Sequence, residues 1–246
     1  MPTLAILAGG LATRLRPLTT SIPKSLLPVA GEPFVAHQLR LLVREGIQDV
    51  VMLCGFLGEQ VAEFVGDGSR FGCRVRYVFD GDTLRGTGGA LRNALPELGE
   101  QFMVLYGDSY CPTNYRRIYE AFAASGKLGL MTVFENGDLW DRSNVEFRDS
   151  QIIQYNKKNT TPAMKHIDYG IGVFKAAAFL PWNASDVFDL SIVQMQLLAA
   201  SQLAGLEVYE RFYEIGSHAG LEETGELLKL LQSDSHHKIT KRKRIT

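Results

Sequence analysis

Two cations follow a pair of glycines near the start of the chain, directly after a short apolar run. The run over residues 4–8 stops at Gly9 and Gly10, and Arg14 and Lys24 come next in a segment that contains three prolines. Glycines let a ligand approach backbone N–H groups closely, and prolines limit the entropy that is lost when a ligand orders the segment. This combination suits a polyphosphate, although on residue type alone both cations also fit solvated surface charges.

The spacing in this segment differs from the two common nucleotide-binding loops. A P-loop needs a glycine directly before its Lys-Ser pair, and here Pro23 precedes Lys24 and Ser25. A dinucleotide-binding loop needs glycines at spacings that this segment lacks. P-loop kinases, ATPases and nicotinamide enzymes are therefore disfavoured.

The segment over residues 7–29 reads LAGGLATRLRPLTTSIPKSLLPV. It strongly resembles the signature of sugar-1-phosphate nucleotidylyltransferases, LxGGxGTRLxPLTxxxPKxxxPV, and weaker motifs extend the resemblance over roughly residues 1–220. Ala12 stands where the signature has its third glycine. An alanine fits there if its φ is negative and is doubtful if the loop needs a positive φ.

The resemblance implies a role for four charged residues. Arg14 is expected to bind the β- and γ-phosphates, and Lys24 to bridge the α-phosphate and the sugar phosphate, as the two catalytic residues. Asp108, in a Tyr-Gly-Asp-Ser segment at a strand end, matches the metal-binding aspartate of the family. Glu214 is assigned as its partner for Mg²⁺, an ion that binds through one or two carboxylates plus phosphate oxygens.

The nucleotide is expected to lie between the first glycine loop and the GTGGAL segment over residues 86–91. This second segment resembles a base-holding element of the family, and a helix start offers free backbone N–H groups. A close strand–helix packing turn is the alternative for it. The implied nucleotide-binding residues are Leu7, Ala8, Gly9, Gly10, Thr13, Gly86, Thr87 and Gly88.

Two later segments resemble elements that hold the sugar phosphate. The segment over residues 155–158 is similar to an EKP element and places Lys157 near the sugar phosphate, with Lys158 as the alternative alignment. The segment over residues 167–170 is similar to an NAG element, which makes Asp168 an acceptor for sugar hydroxyls and adds Gly170 to the site. An exposed hairpin charge is the alternative for each.

The implied reaction is attack by an oxygen of a sugar 1-phosphate on the α-phosphorus of a nucleoside triphosphate, with loss of pyrophosphate. A phosphate monoester has a second pKa of about 6 and is mostly dianionic at neutral pH, so no catalytic base is needed. The segments over residues 155–158 and 167–175 look most like those of heptose-1-phosphate and short mannose-1-phosphate guanylyltransferases. We therefore expect GTP and a manno-configured sugar, with uridylyl or thymidylyl transfer to glucose-type or N-acetylmuramic acid phosphates as the alternative.

Two other classes of protein stay open. A glycosyltransferase also combines a parallel-sheet nucleotide fold with a metal-binding aspartate, but it does not need the polyphosphate segment. A non-catalytic nucleotide-sugar sensor is expected to have lost Lys24 or Asp108, and both are present.

The elements that position these residues alternate between strand and helix. Apolar runs predict strands over 4–8, 50–53, 75–79, 102–106 and 128–134, and amphipathic stretches predict helices over 33–45, 58–65, 88–95 and 114–124. The alternation predicts an α/β, Rossmann-like three-layer sandwich with a mainly parallel mixed sheet. In such sheets ligands bind beyond the carboxyl ends of the strands, where both Gly9 and Asp108 fall.

The pattern changes after about residue 140. Strands over 144–147, 151–155 and 169–174 predict a small β-rich sugar-binding insertion over 140–175 that covers the site as a lid. Helices over 189–201 and 217–232 flank a strand near 206–213. We expect a single domain over 1–233 and a basic, disordered tail over 234–246, which has five Lys and Arg residues.

Composition limits the remaining possibilities. A chain of 246 residues with 46% hydrophobic and 22% charged residues is typical of a globular protein, and its net charge of −1 argues against nucleic acid or membrane surfaces as partners. No apolar run is long enough to span a membrane. Cys54, Cys73 and Cys111 form no CxxC pair, which favours reduced thiols and a cytoplasmic location. The expected assembly is a monomer or a homodimer.

Overall fold

A nine-stranded mixed sheet runs through the centre of the protein. The structure, a computed structural model, describes the backbone of residues 1–242 and the side chains of residues 1–233. Two ribbons, β2 with β3 and β7 with β13, lie outside the main sheet. The strands in chain order are β1 (Thr3–Ala8), β2 (Pro28–Val29), β3 (Glu32–Pro33), β4 (Asp49–Cys54), β5 (Arg74–Phe79), β6 (Gln101–Tyr106), β7 (Ser109–Tyr110), β8 (Gly129–Glu135), β9 (Val145–Arg148), β10 (Gln151–Tyr155), β11 (His166–Lys175), β12 (Leu203–Glu207) and β13 (Tyr213–Glu214).

Helices follow several of these strands. They are α1 (Phe34–Arg44), α2 (Gly58–Val65), α3 (Gly86–Asn93), α4 (Leu95–Leu98), α5 (Tyr115–Ser125), α6 (Leu190–Ala199) and α7 (His218–Arg242). Within the described part of the chain, no helix combines the length and the apolar character that crossing a membrane requires.

The main sheet has the strand order β10-β9-β11-β6-β1-β4-β5, and β8 pairs with β11 and β12. The neighbouring strands β6, β1, β4 and β5, of which β5 is the edge strand, are parallel. Ala5 of β1 lies opposite Val51 on one side and Val104 on the other. Parallel strands that are buried on both faces have continuous apolar sequences, which is why Leu4, Ala5 and Ile6 predicted β1 correctly. The predicted mainly parallel mixed sheet is confirmed.

Helices pack on both faces of this sheet. On one face, Val35 and Leu39 of α1 and Phe122 of α5 join the strand residues in one core. On the other face, Leu91 of α3 and Val193 of α6 belong to a second core. The predicted α/β three-layer sandwich is therefore confirmed.

The strands of the predicted insertion over 140–175 belong to the main sheet. β11 pairs with β6 in antiparallel register, with Ile171 opposite Leu105 and Lys175 opposite Gln101. β11 is therefore a central strand, next to the parallel ones. The single domain over 1–233 and the lid role of the insertion stay predictions, and the predicted tail over 234–246 lies outside the residues whose side chains are described.

Several predicted elements differ from the observed ones, and the helix predicted over 217–232 extends to Arg242 as α7. The strand predicted near 206–213 is wrong, because β12 ends at Glu207 and the chain is irregular until β13 begins at Tyr213. The helix predicted over 88–95 begins earlier, at Gly86, and is followed by α4. Pro96 lies in the first turn of α4, where a proline costs no helical hydrogen bond.

Candidate active site

A cavity of about 280 Å³ opens at the carboxyl ends of β6, β1, β4 and β5. Ligands bind at this edge in parallel sheets. The predicted residues that line the cavity are Leu7, Ala8, Gly9, Gly10, Lys24, Gly86, Thr87 and Asp108. Sequence reasoning missed other lining residues, among them Leu53, Asp80, Leu84, Ala90 and Tyr106.

Glycines let the backbones of neighbouring strands meet at the cavity. A Cβ atom on Gly55 would lie 2.6 Å from the carbonyl oxygen of Gly9, and one on Gly107 would lie 2.6 Å from that of Leu7. Only glycine fits at such distances. At Gly10, by contrast, no atom lies within 4 Å of the corresponding Cβ position. The space beside Gly10 is therefore open to a ligand.

Ala12 adopts the left-handed conformation, with φ 48° and ψ 41°. Its carbonyl oxygen accepts hydrogen bonds from the backbone N–H of Leu15 at 3.1 Å and from Thr19 Oγ1 at 2.8 Å, and these contacts hold the loop. The loop thus keeps the positive φ that favours glycine, at a cost of roughly 1–2 kcal/mol for an alanine. Thr13 begins a short 3₁₀ turn after Ala12 and lies outside the cavity lining.

Lys24 and Asp108 form an ion pair at the cavity, with 2.7 Å between Nζ and Oδ2. The side chains are 19% and 25% exposed, so the pair is partly shielded from water. Lys24 begins a 3₁₀ turn directly after Pro23, and Asp108 follows Gly107, the first residue after β6. Sequence reasoning assigned the two residues to different partners, and the structure brings them into direct contact.

A buried glutamine that sequence reasoning missed supports the loop of Asp108. Gln38 of α1 is 0% exposed, and its Nε2 donates to the carbonyl oxygens of Tyr106 at 3.2 Å and Ser109 at 2.8 Å. Its Oε1 has no partner among the described residues. The only available signal was a polar residue on the apolar face of a predicted helix.

The ribbon of β7 and β13 brings Glu214 next to Asp108. Glu214 pairs with Ser109, and the backbone N–H after it donates to the carbonyl oxygen of Asp108 at 2.9 Å. Burial and the nearby Asp108 carboxylate raise the pKa of Glu214, against an opposing effect of Arg14. A Cβ on Gly216 would lie 2.5 Å from Glu214 Oε2 and 3.1 Å from Arg14 Nη2, so both charged groups flank Gly216. Arg14 itself is exposed and lies outside the cavity lining.

The Asp108–Glu214 pair matches the donor set that Mg²⁺ uses. Across residues 1–233, no three His, Cys, Asp or Glu side chains come together as a metal site. Mg²⁺ is commonly held by one or two carboxylates while substrate phosphates and water supply the other oxygens.

The GTGGAL segment is only partly available to a ligand. The N–H groups of Gly88 and Gly89 donate to the carbonyl oxygen of Phe188, at 2.9 and 3.2 Å. A Cβ on Gly88 would lie 2.4 Å from the ring of Phe188. The expectation of free N–H groups is therefore wrong at Gly88, because the loop before α6 packs across the start of α3. Gly86 and Thr87 remain in the cavity lining.

Lys157 lies beside the cavity and is surrounded by acceptors. Its Nζ is 3.2 Å from the hydroxyl oxygen of Tyr106 and 3.7 Å from Oδ1 of Asp189. Burial lowers the pKa of Lys157, but Tyr106, Asp168 and Asp189 together raise it by more, so the ammonium stays charged. Among the residues whose side chains are described, Lys158 has one hydrogen bond, from its backbone N–H to Asn156 Oδ1 at 2.9 Å. The geometry therefore favours Lys157 over Lys158.

Asp168 is held by donors from three directions. It accepts hydrogen bonds from the Gly170 N–H at 3.1 Å, Gln194 Nε2 at 3.4 Å and the Tyr155 hydroxyl at 3.4 Å. Burial raises its pKa, and nearby Lys157 together with these bonds opposes that effect. Gly170 has a φ of 99° where the register of β11 shifts, which only glycine adopts readily.

Comparisons with known proteins identify the family to which this chain belongs. Residues 4–182 match the family model described as Nucleotidyl transferase. N-acetylmuramate alpha-1-phosphate uridylyltransferase from Neisseria meningitidis is 40% identical over 116 residues, which are 47% of this chain and 50% of that protein. Mannose-1-phosphate guanylyltransferase from Mycobacterium tuberculosis is 30% identical over 172 residues, which are 69% of this chain and 48% of that protein. The chain spans about half the length of these curated relatives.

A solved structure has the same fold. HddC from Yersinia pseudotuberculosis, complexed with GMP-PN, superimposes with a TM-score of 0.78 over 93% of this chain and 100% of that chain, at 21% identity. At this level of identity the likeness concerns the fold alone. Because the family model covers well over half of the chain, this protein belongs to the nucleotidyl transferase family.

Proposed function

We propose that this protein transfers a nucleoside monophosphate from a nucleoside triphosphate to a sugar 1-phosphate. A non-bridging oxygen of the sugar phosphate attacks the α-phosphorus, the bond from that phosphorus to the bridging oxygen of the β-phosphate breaks, and pyrophosphate leaves. The products are a nucleoside diphosphate sugar and pyrophosphate. The observation that carries this proposal is the meeting of Lys24 and Asp108 at a cavity edged by Gly9 and Gly10.

The two reactants are both anionic, so catalysis has to neutralise charge and hold the reacting atoms close. Lys24 lies at the cavity and is held by Asp108 until substrate phosphates compete for its ammonium. It would then bridge the α-phosphate and the sugar phosphate. Arg14, beside Glu214, would bind the β- and γ-phosphates and assist the departure of pyrophosphate. Mg²⁺, when bound by Asp108 and Glu214, would supply positive charge to the triphosphate.

The sugar phosphate would bind on the side of Tyr106, at the end of β6. Lys157 contacts the Tyr106 hydroxyl, so its charge lies next to the cavity and is available to a phosphate. Asp168 has two oxygens that accept bonds from neutral donors and is suited to accept further bonds from sugar hydroxyls. Gly170, with its φ of 99°, lies near Ser109 and Tyr106 on this side.

GTP and a manno-configured sugar phosphate, of the mannose or heptose type, are the proposed substrates. Mannose-1-phosphate guanylyltransferases recur among the relatives of this chain. Uridylyl transfer to N-acetylmuramic acid 1-phosphate is the second candidate, since a relative with that activity is 40% identical over 116 residues. Three buried cysteines without disulfide bonds suit a reducing compartment such as the cytoplasm.

A pyrophosphate-release assay tests the proposal. Purified protein with Mg²⁺ is supplied with GTP, UTP, dTTP, ATP or CTP, each with mannose, heptose, glucose or N-acetylmuramic acid 1-phosphate. Release that requires both substrates, and yields a nucleoside diphosphate sugar, is expected for at least one pair. Turnover of a triphosphate alone, or of no pair, would contradict the proposed reaction. Preference for UTP with N-acetylmuramic acid 1-phosphate would establish the second candidate.

A further inference from the structure

Two buried polar side chains outside the cavity have no role in the reaction proposed above. Gln38 of α1 and Thr224 of α7 are both 0% exposed, and each donates to backbone carbonyl oxygens. These carbonyls belong to the chain segments that present Asp108 and Glu214, the pair proposed to hold Mg²⁺. Each of the two carboxylates therefore has a buried polar side chain, from a different helix, next to its backbone.

Gln38 ties together the two ends of the segment over residues 106–109. Its Nε2 donates to the carbonyl oxygen of Tyr106 at 3.2 Å and to that of Ser109 at 2.8 Å, so one nitrogen holds both sides of Asp108. Its Oε1 has no partner among the residues whose side chains are described. A buried, unpaired amide oxygen costs stability, and packing alone would therefore favour an apolar side chain at this position. What the amide contributes is the fixed position of the two carbonyls.

Thr224 holds the segment of Glu214 in a similar way. Its Oγ1 donates to the backbone carbonyl oxygen of Glu214 at 3.2 Å. Gly220, one turn earlier in α7, lies so close to this carbonyl that a Cβ would overlap with its oxygen. The backbone N–H of Ile215 donates to the carbonyl oxygen of Asp108 at 2.9 Å and joins the two segments. The backbones of both carboxylates are thus fixed relative to α1 and α7.

The two helices and the ribbon of β7 and β13 also share one small core. Buried apolar residues from all three parts belong to it, namely Phe34, Leu41, Tyr110, Ile215 and Leu228. Apolar packing is not directional, so this core aligns the helices without fixing the position of any one carbonyl. The hydrogen bonds of Gln38 and Thr224 supply the directional contacts.

We propose that Gln38 and Thr224 are positioning residues that set the affinity of the site for Mg²⁺, by fixing the backbone from which Asp108 and Glu214 extend. Mg²⁺ demands near-ideal octahedral geometry at about 2.0–2.1 Å from each oxygen, so small displacements of its ligands weaken binding. Residues that orient metal ligands in this way typically contribute about 10- to 100-fold to metal affinity. This inference rests on the proposed function and deepens it by naming residues that act through its metal ligands.

Equilibrium binding of nucleotide with and without metal tests the inference. Dissociation constants for GTP and UTP are measured by calorimetry, once with Mg²⁺ and once with a chelator, in the absence of sugar 1-phosphate so that no transfer occurs. The ratio of the two constants for one nucleotide measures the contribution of the metal. A general disturbance of the fold changes both constants together and leaves the ratio unchanged. For wild-type protein, Mg²⁺ should tighten the binding of at least one nucleotide.

Two nearly isosteric substitutions remove the directional contacts. Gln38→Met and Thr224→Val should each weaken nucleotide binding about tenfold or more with Mg²⁺ and change it less than about threefold with the chelator. Thr224→Ser keeps the hydroxyl and should restore the wild-type ratio. Thr132→Val is the matched control, because Thr132 is also 0% exposed and donates to a backbone carbonyl oxygen, that of Ile171 at 2.6 Å, outside both carboxylate segments. It should leave the ratio unchanged.

The outcomes separate this inference from the proposed function. Thermal melts identify the folded variants, and one folded variant is sufficient because Gln38 and Thr224 lie in different helices. An unchanged ratio in folded Gln38→Met or Thr224→Val protein would overturn the role of that residue and leave the reaction standing. An equal loss in Thr132→Val protein would overturn both roles. Wild-type protein that releases pyrophosphate but binds nucleotide equally with and without Mg²⁺ would remove the metal pair and this inference, and absence of both binding and release would remove the proposed function itself.

Discussion

Replacement of Lys24 by methionine separates catalysis from folding. Methionine keeps an unbranched stem of similar length and removes the ammonium that lies 2.7 Å from Asp108 Oδ2. In the proposed reaction this ammonium neutralises charge where the α-phosphate and the sugar phosphate meet. Loss of one donor of that kind usually lowers kcat about 10²- to 10³-fold.

The cost to stability is expected to be much smaller. An exposed ion pair contributes about 0–1 kcal/mol, and loss of one partner from a fully buried pair costs about 3–5 kcal/mol. With side chains that are 19% and 25% exposed, the Lys24–Asp108 pair lies between these limits, at about 2 kcal/mol after solvent screening. A domain with about 5–15 kcal/mol of stability therefore stays almost fully folded. Its melting temperature should fall by roughly 4–8 °C.

Steady-state pyrophosphate release and a thermal melt on the same preparation measure both quantities. Lys229→Met, which changes an exposed lysine on α7, is the matched control and should behave as wild-type protein does. A folded Lys24→Met protein with kcat within about threefold of wild type would refute the assignment of Lys24, since a missing charge at the reacting phosphates costs far more. Loss of activity together with unfolding at 25 °C would refute the stability argument.

Three further substitutions test separate parts of the site. Ala12→Gly relieves an alanine held at φ 48° and should raise the melting temperature by about 2–4 °C, for roughly 1 kcal/mol, in a thermal melt. Glu214→Gln removes a carboxylate whose pKa is higher in the folded protein than in the unfolded chain. The ionised carboxylate therefore lowers the stability of the fold, and it does so increasingly as pH rises above the unfolded pKa of 4.5. Its melting temperature relative to wild type should accordingly be higher at pH 8 than at pH 4, while the Mg²⁺ concentration for half-maximal rate increases. Asp168→Asn should raise KM for the sugar 1-phosphate about tenfold and leave KM for the triphosphate unchanged in initial-rate kinetics, whereas equal effects on both would place Asp168 elsewhere.

The sequence predicted the sheet well because its parallel strands are buried on both faces. Such strands have continuous apolar runs that stop at glycine, as β1 stops at Gly9 and β6 at Gly107. The end of each apolar run thus predicted the end of a strand, and the cavity lies at these strand ends. β13, which holds Glu214, is only two residues long and has no periodicity that could predict it.

The contacts that complete the site join residues far apart in the chain. The carbonyl oxygen of Phe188 accepts the N–H of Gly88, and the side chain of Gln38 donates to the loop that contains Asp108. Neither contact has a local pattern, because each depends on how two loops or a helix and a loop pack in space. Asp80 is a similar case, since an acid before glycine usually indicates a turn, and only the strand order places it in the cavity.

The charges of the free site are nearly balanced in pairs. Lys24 contacts Asp108, Arg14 lies beside Glu214, and Lys157 lies near Asp189. A triphosphate that bound alone would add negative charge next to two carboxylates, and a divalent ion alone would meet the cations that already neutralise them. Entry of both together would preserve the balance, because Asp108 and Glu214 would hold the ion while Lys24 and Arg14 would contact the phosphates. In the proposed function these pairings would therefore favour joint binding of nucleotide and metal, because each charged group of the site would keep a partner of opposite charge.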